Sequence, residues 1–369
     1  MKCEIEFLPV GSASKAGDAI VIRYGEQHDF RLMLVDGGHA ETGEQIVSHL
    51  RRHYGPSPVL EHVILTHSDG DHASGLRTVL EHVPAGTVWL HAPWAFAGDA
   101  LPLFANKDRT GESLARSIMS EYDVVLDVVK LAMARGCTVQ PPFQGAQIGP
   151  FRVLSPHRLT YLYLLPQFDK TPEPDRAAIE RAGLWIGKAS VADRMFEAAR
   201  AALQRWTTER WDDERLMDGG ITSASNESSV VLYGSFENGP AILTGDAGLR
   251  GLTWAADAAD AYGLPLRQFN FVQIPHYGSR RNSGPTILNR LLGPIQPESS
   301  ATRFAAFVSA PADDTKHPRR IVLNAFARRG GRIIATQGSS KVHWGGFQPR
   351  PGYSAAELLP FFTNVEEYT

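Results

Sequence analysis

Four potential metal ligands fall within six positions of the segment VILTHSDGDHASGL: His67, Asp69, Asp71 and His72. They follow the apolar run Val63-Ile64-Leu65 directly, so they stand at the mouth of a buried strand. Alternate residues of a strand point to opposite faces, so only a tight loop, here around Gly70, can bring four such groups together. Imidazole suits borderline ions such as zinc, and carboxylates shift the preference toward harder ions such as manganese. Two later segments end strands in the same way. AILTGDAG puts Asp246 after one apolar run, and FVQIPHYGS puts His276 after another. Asp71, His72, Asp246 and His276 make a mixed nitrogen and oxygen site for one divalent ion. His67 and Asp69 begin a second site, which Asp246 can bridge. Two such ions, about 3.5–4 Å apart, would clamp the attacking and leaving oxygens of a displacement and acidify a bound water.

The elements that must position these groups alternate strand and helix. CEIEFLPV, DAIVIRYG and RLMLVDGG read as strands, ETGEQIVSHLRRHYG as a helix, VLEHVILTH as a strand, ASGLRTVLEHV as a helix and TVWLHAP as a strand. ESLARSIMSEYDVVLDVVKLAMARG reads as one long helical run, and FRVLSPH returns to strand. SSVVLYGSFENGPAILTGD predicts a hairpin around Glu237-Asn238-Gly239. FNFVQIPHYGS, AAFVSA and GRIIATQG are further strands, with the helix RRIVLNAFARRG before the last. Strands that keep ending in polar loops, with helices between them, predict a layered α/β fold with ligands at the carboxyl edge of its sheets. Residues 158–222 break the pattern. They hold Pro166, Pro172 and Pro174, then an Ala/Glu/Arg-rich helical tract with Trp185, Trp206 and Trp211. They predict an insertion that acts as a lid or an interface, through which the chain could form an oligomer. The tryptophans are expected to pack within it.

The chain has 369 residues, 43% hydrophobic and 21% charged, with a net charge of −3. That composition gives no global argument for a nucleic-acid or membrane surface. The charge is uneven, however. Residues 267–332 carry 11 Lys/Arg against 3 acids, a local balance of +8. Cys3 and Cys137 form no CxxC pair and no disulfide framework, as expected for a reducing compartment. No leader and no stretch of about 20 apolar residues is present, so a cytoplasmic location is expected.

The segment His67-Ser68-Asp69-Gly70-Asp71-His72, with LVDGG upstream and LTGD and PHYGS downstream, resembles the metallo-β-lactamase superfamily. Its H-x-D-x-D-H form is similar to the hydrolase domain of ComEC. The likeness extends to VGSASKAGDAIVI (family form VGQGDAILI), NESSVVL before LTGD, PHYGS in place of PHHGS, and His317-Pro318. The resemblance implies a single domain over 1–369, a four-layer αββα sandwich interrupted by the 158–222 insertion. It implies two divalent ions, zinc or manganese, at the open edge, and ionised water attacking phosphorus or carbonyl carbon. Asp36 in LVDGG would orient a ligand from behind, and Asp18 in AGDAIVI is a further supporting candidate. In the common pattern Asp69 would be a histidine. Another histidine would stand where Asn226, Glu227 or Ser228 stands here. The first site is therefore short of imidazole, with Asn226 as a weak substitute, and weak or substrate-dependent filling is expected. The second site keeps every expected ligand.

Catalytic work is expected from Asp71, Tyr277 and His317, the last two as proton donors or phosphate contacts. Ser279, Arg280 and Lys316 are expected to hold phosphate oxygens, since they flank His276 or His317. His157 is a remoter candidate for the site. The leading expectation is a metal-dependent phosphodiesterase or nuclease acting on DNA, RNA or a nucleotide. A hydrolase of a small ester, lactone or thioester is the alternative. A metal-stabilised binding or regulatory module without turnover is the third reading.

Overall fold

A computed structural model of the chain describes residues 1–12, 15–188 and 205–368. The first half contains β1 (Lys2–Phe7), β2 (Ile20–Gly25), β3 (Phe30–Val35), α1 (Ala40–Tyr54) and β4 (Leu60–Ile64). It continues with α2 (Gly70–Ala73), α3 (Leu76–His82), β5 (Ala85–Trp89) and β6 (Thr138–Gln140). The second half supplies β7 (Gln147–Ile148), β8 (Phe151–Ser155), β9 (Trp206–Thr208), β10 (Val231–Gly234), β11 (Ala241–Leu243) and β12 (Phe271–Gln273). After these come β13 (Phe304–Val308), β14 (Gly331–Ala335), β15 (Lys341–His343) and β16 (Asn364–Glu366). Two seven-stranded sheets result, ordered β15-β1-β2-β3-β4-β5-β6 and β14-β13-β12-β11-β10-β8-β7.

Strand periodicity explains how the sheets stack. On β3, Met33 and Val35 point into the layer between the sheets, where Phe7, Ile22, Phe151, Leu243, Phe271 and Phe307 meet. Leu32 and Leu34 point the other way, onto Ile46, Leu50, Leu76 and Val79 of α1 and α3. The second sheet does the same, packing Ile242, Val272 and Ala306 under Leu252, Leu288 and Ile321 of its helices. Both faces of the central strands are therefore buried, which is why these segments read as nearly continuous apolar runs. The result is the expected four-layer αββα sandwich.

In the first sheet β3, β4, β5 and β6 run parallel. In the second, β11, β12, β13 and β14 run parallel. Every candidate ligand follows the carboxyl end of one of these strands. The Val230 amide donates to the Thr66 carbonyl (3.0 Å), tying the two edges together beside His67.

Three expectations are revised by packing. The run 112–136 is two helices, Gly111–Met119 and Asp123–Ala134, because the chain turns to bury Tyr122. Residues 158–168 do not stand apart as an insertion: Tyr161, Leu162, Leu164, Leu165 and Phe168 belong to the core of the first sheet's helical layer. Residues 206–208 pair with the C-terminal strand β16. Most of the Ala/Glu/Arg-rich tract lies outside the described residues. Trp211 packs on Phe361 and donates its indole N–H to the Gln296 carbonyl (2.7 Å). Trp206 is 48% exposed, with Arg320 over its ring. No helix among the described residues is long and apolar enough to cross a membrane.

Candidate metal centre

The loop after β4 is welded to the loop after β3. The Gly37 amide donates to the His72 carbonyl (2.7 Å) and the Asp36 amide to the Ile64 carbonyl (2.8 Å). Gly37 and Gly75 allow this approach: a Cβ on Gly75 would lie 2.0 Å from the Gly37 carbonyl oxygen. Asp36 takes a left-handed φ of 59° and turns its carboxylate under the metal loop. Its Oδ1 accepts from the Thr66 amide (2.8 Å), and its Oδ2 from the Thr66 hydroxyl (2.8 Å) and His72 Nδ1 (2.7 Å).

Those bonds fix both imidazoles. A carboxylate accepts in such a pair, so His72 Nδ1 carries a hydrogen and Nε2 is the atom a metal would bind. The Thr66 hydroxyl spends its proton on Asp36, so it accepts from His67 Nδ1 (3.1 Å), and His67 Nε2 is likewise free to ligate. These tautomers are assigned from the hydrogen-bond network. Asp36 thus orients one ring directly and the other through Thr66.

Asp246 is the hub. Its Oδ2 lies 3.5 Å from His72 Nε2, 3.5 Å from His276 Nε2 and 3.9 Å from His67 Nε2. Asp69 Oδ2 lies 3.5 Å from His67 Nε2. Gln273 holds the Asp246 loop, accepting from the amides of Thr244 (2.8 Å) and Gly245 (3.1 Å). Asn282 accepts from His276 Nδ1 (3.0 Å) and donates to the Asp246 carbonyl (2.7 Å), so His276 turns its Nε2 to the hub. The centre is open to solvent through Asp69, Asp71 and His276, whose side chains are 42%, 32% and 27% exposed.

Charge reinforces the geometry. Burial alone would raise the Asp246 carboxyl, but His276, His72 and His67 hold it well below the ordinary carboxylate range. Asp69 is brought down to about 2, since His67 and the Ser225 hydroxyl (2.8 Å) outweigh its burial. The two buried imidazoles are pushed down by desolvation, yet Asp246, Asp36 and Asp71 carry His72 well above its usual value, and Asp69 and Asp246 raise His67. Asp18 is pushed up to about 7, chiefly by burial, behind His72 and Asp36. It accepts from Gln273 Nε2 (2.9 Å) and from the Ser309 hydroxyl.

The donor set fits a divalent ion. His67 Nε2 and Asp246 Oδ1 are buried without any hydrogen-bond partner, a costly state unless something else binds them. His67, His72 and Asp246 offer ligand atoms all within 4.8 Å of one another. Asp18, Asp36 and His72 form a second such group, but its atoms are taken up by Thr66, Gln273, Ser309 and each other.

Other candidates stand differently from expectation. The sequence leaves the Asp71–His72 side as the better supplied of two sites. In the structure the Tyr277 hydroxyl is bonded to both, 3.0 Å from Asp71 Oδ2 and 2.6 Å from His72 Nε2. Asn226 donates its amide nitrogen to the Thr222 hydroxyl (2.8 Å) and lies 3.2 Å from His276 Nδ1, whose proton already goes to Asn282. Glu227 caps the helix Leu249–Ala261, accepting from the Gly251 amide (2.6 Å), and Ser228 donates to the Ser225 carbonyl. Ser279 accepts from the Arg281 amide within its own turn (3.3 Å). Arg280 donates to the Glu367 carbonyl (3.1 Å) and lies over the Tyr368 ring. Lys316 and His317 precede the helix Arg320–Arg328 instead of opening it. His317 pairs with Asp314 (3.4 Å), while the Arg319 amide donates to the Gly278 carbonyl (3.2 Å), placing this loop against the His276 turn. His157 is exposed and caps the helix Arg158–Leu164. The +8 stretch is partly neutralised by four acids from outside it. Arg290 meets Asp257 and Asp260, Arg328 meets Glu209, and Arg329 meets Glu214. Sequence reasoning missed Asn282, Gln273, Ser225 and Thr66, polar residues of kinds found in any turn or strand end.

Residues 15–132 match the model of the metallo-beta-lactamase superfamily, a span that includes His67–His72 but not Asp246 or His276. Members of that superfamily are generally metal-dependent hydrolases. No curated protein matches the sequence. Similar solved structures include the metallo-beta-lactamase fold protein YhfI from Bacillus subtilis, at 8% identity and TM-score 0.39, covering 93% of this chain and 100% of that one. Metallo-beta-lactamase SMB-1 bound to 2-mercaptoethanesulfonate is similar at 12% identity and TM-score 0.31, covering 78% and 86%. The dizinc quorum-quenching lactonase AidC is similar at 9% identity and TM-score 0.27, covering 66% and 67%. At such scores these neighbours carry nothing about this chain's chemistry. The fold is the metallo-β-lactamase αββα sandwich.

Proposed function

We propose that this chain is a metal-dependent hydrolase of ester bonds, with phosphodiesters as its substrate class. One observation carries the metal reading: the Asp246 carboxylate has three imidazole Nε2 atoms within 3.9 Å, while its own Oδ1 and His67 Nε2 are buried and unpartnered. Asp246 and His67 would hold an ion, with His72 and His276 Nε2 each 3.5 Å from Asp246 Oδ2 and Asp69 at the solvent side. A divalent ion, zinc or manganese, would supply Lewis acidity and lower the pKa of a water there. The chain's own residues do the positioning. Asp36 and Thr66 set the orientation of His67 and His72, and Asn282 braces His276. Asp69 and Asp71 stand at the open rim, where a carboxylate can accept a proton from an entering nucleophile.

The phosphodiester preference rests on the flank of the His276 turn. Arg280, Arg281 and Arg319 share this flank: burial depresses the Arg319 guanidinium most, Arg280 and Arg281 add to that, and Glu366 and Asp314 act against it. Guanidinium groups match phosphate oxygens in a bidentate way. His317, beside them, is the candidate proton donor to a leaving group.

The test is a substrate panel on metal-depleted protein reconstituted with zinc or manganese. Bis(p-nitrophenyl) phosphate, single- and double-stranded DNA and RNA are set beside a lactone and a thioester. The expected result is metal-dependent phosphodiester cleavage, abolished in His67→Ala and Asp246→Ala. Inertness of loaded protein on every substrate would overturn the enzyme reading. Lactone or thioester turnover without phosphodiester cleavage would replace the substrate class.

A further inference from the structure

We infer that the Tyr277 hydroxyl fills the place of a second cation, so that the centre binds one divalent ion and not two. The inference rests on the metal reading above, and concerns how many ions the cluster admits.

A second ion would need Asp71 together with His72, whose Nε2 also lies 3.5 Å from Asp246 Oδ2. His72 Nε2 and Asp71 Oδ2 are 3.9 Å apart. The phenol oxygen is 2.6 Å from the first and 3.0 Å from the second. Carboxylate oxygen and imidazole nitrogen bind zinc at about 2.0–2.2 Å, so the hydroxyl stands within the volume that a shared ion and its shell would occupy. The phenol has one proton to give to these two groups, so it is its oxygen, placed between them, that takes up the ion's position. His67 Nε2 and Asp246 Oδ1, on the other side of the cluster, are the atoms left unpaired.

The tyrosine is built into this position. Its residue is 6% exposed, and its ring stacks on His72 with centroids 6.0 Å apart and planes 28° apart. The backbone takes φ 47° at His276, 55° at Tyr277 and 76° at Gly278. Left-handed conformations cost a non-glycine residue on the order of 1–3 kcal/mol each and persist where the surroundings enforce them. Two in succession send His276 and Tyr277 inward together, one ring to Asp246 and the other to Asp71 and His72. A tyrosine that merely packed on the outside would need neither.

The readout is ion count, by elemental analysis and by calorimetric titration of metal-depleted protein with zinc and with manganese. The native chain is expected to take up one ion. Tyr277→His and Tyr277→Ala are expected to take up two, and the manganese-loaded Tyr277→His protein to show the spin-coupled resonance of an ion pair. Tyr277→Phe keeps the ring packing and serves as the folding control. Two ions in the native chain, falling to one in Tyr277→Phe, would overturn the inference by making the phenol a ligand. One ion in every variant would overturn it by showing that something else excludes the second. No ion in any of them would instead remove the metal reading on which it stands.

Discussion

Replacing Asp36 by asparagine isolates the orientation of the imidazoles from their presence. Asparagine tolerates the left-handed φ of 59° and keeps nearly the same volume. The native carboxylate accepts three bonds, from the Thr66 amide, the Thr66 hydroxyl and His72 Nδ1, all between 2.7 and 2.8 Å. An amide can accept on one side only. If its NH2 faces the Thr66 amide, a buried donor is left facing another donor. If it faces His72, the ring must move its proton to Nε2, the atom turned toward Asp246. Either arrangement forfeits a buried bond to a charged group, about 1.5–3 kcal/mol of stability in the metal-free protein. Loss of such an orienting carboxylate typically weakens metal binding about 10–100-fold, or about 1.4–2.7 kcal/mol. Chelator competition gives the affinity at fixed pH, and urea unfolding with an unchanged m-value gives the stability. An Asp36→Asn protein that lost stability but bound metal as tightly as the native chain would refute the reasoning, since Asp36 would then fasten the loop without setting the ligands.

Other consequences can be checked directly. Saturating metal at about 100 times its Kd should raise unfolding stability by about 2.7 kcal/mol; differential scanning with and without chelator measures it, and Asp246→Ala should abolish the difference. The His91 imidazole is buried against Phe143 and Tyr161 with both nitrogens unpaired, and burial lowers it to about 3. The unfolded chain therefore protonates first as pH falls below about 6.5, and stability is lost down to about 3. Between pH 6.5 and 5 the native chain should lose about 2 kcal/mol that His91→Phe does not; equal slopes of stability against pH would refute this. Glu209 pairs with the fully buried Arg328 (3.2 Å) and accepts from the Arg215 amide (2.7 Å). Glu209→Ala should cost about 3–5 kcal/mol by stranding a charge, read as a shift of the urea midpoint.

The sheets are legible because both faces of most strands are buried, so their sequences are apolar throughout and end abruptly at Asp36, His67, Asp246 and His276. The hairpin of β10 and β11 is equally plain from its Glu-Asn-Gly turn. The break of the 112–136 run is not. No proline or glycine marks it, and burial of Tyr122 decides it against local helix propensity. Ligands declare themselves by type and spacing. Their supports do not: Asn282 in SRRNSG looks like any turn asparagine, and Gln273 like any polar residue at a strand end. Tyr277 was visible as a departure from PHHGS, but only the left-handed backbone at 276–278 shows that its ring enters the centre. The charge of residues 267–332 misleads for a related reason. A linear count cannot see that Glu209, Glu214, Asp257 and Asp260 come from outside the segment to meet it.

If the centre holds one dication, its charge balance constrains the substrate. Asp69, Asp71 and Asp246 would bring three carboxylates to a single ion, with Asp36 behind His72, leaving excess negative charge where a phosphodiester anion must approach. A neutral lactone carbonyl would meet no such barrier. Each unit charge at about 6 Å contributes about 3 kcal/mol at an effective dielectric of 20, so an anionic substrate needs compensating cations close by. On the proposed phosphodiester reading, the guanidinium groups of Arg281 and Arg319, on the turns that carry His276 and His317, would supply them. The double variant Arg281→Ala, Arg319→Ala should therefore lose at least 10-fold in kcat/KM for bis(p-nitrophenyl) phosphate, an order of magnitude being 1.4 kcal/mol. Turnover of a neutral nitrophenyl ester should change less than two-fold, and the phosphodiester reaction of the native chain should fall with ionic strength as the neutral one does not. Equal losses on both substrates would mean that the arginines serve the fold of the turn, and the electrostatic case for a phosphodiester would fail with them.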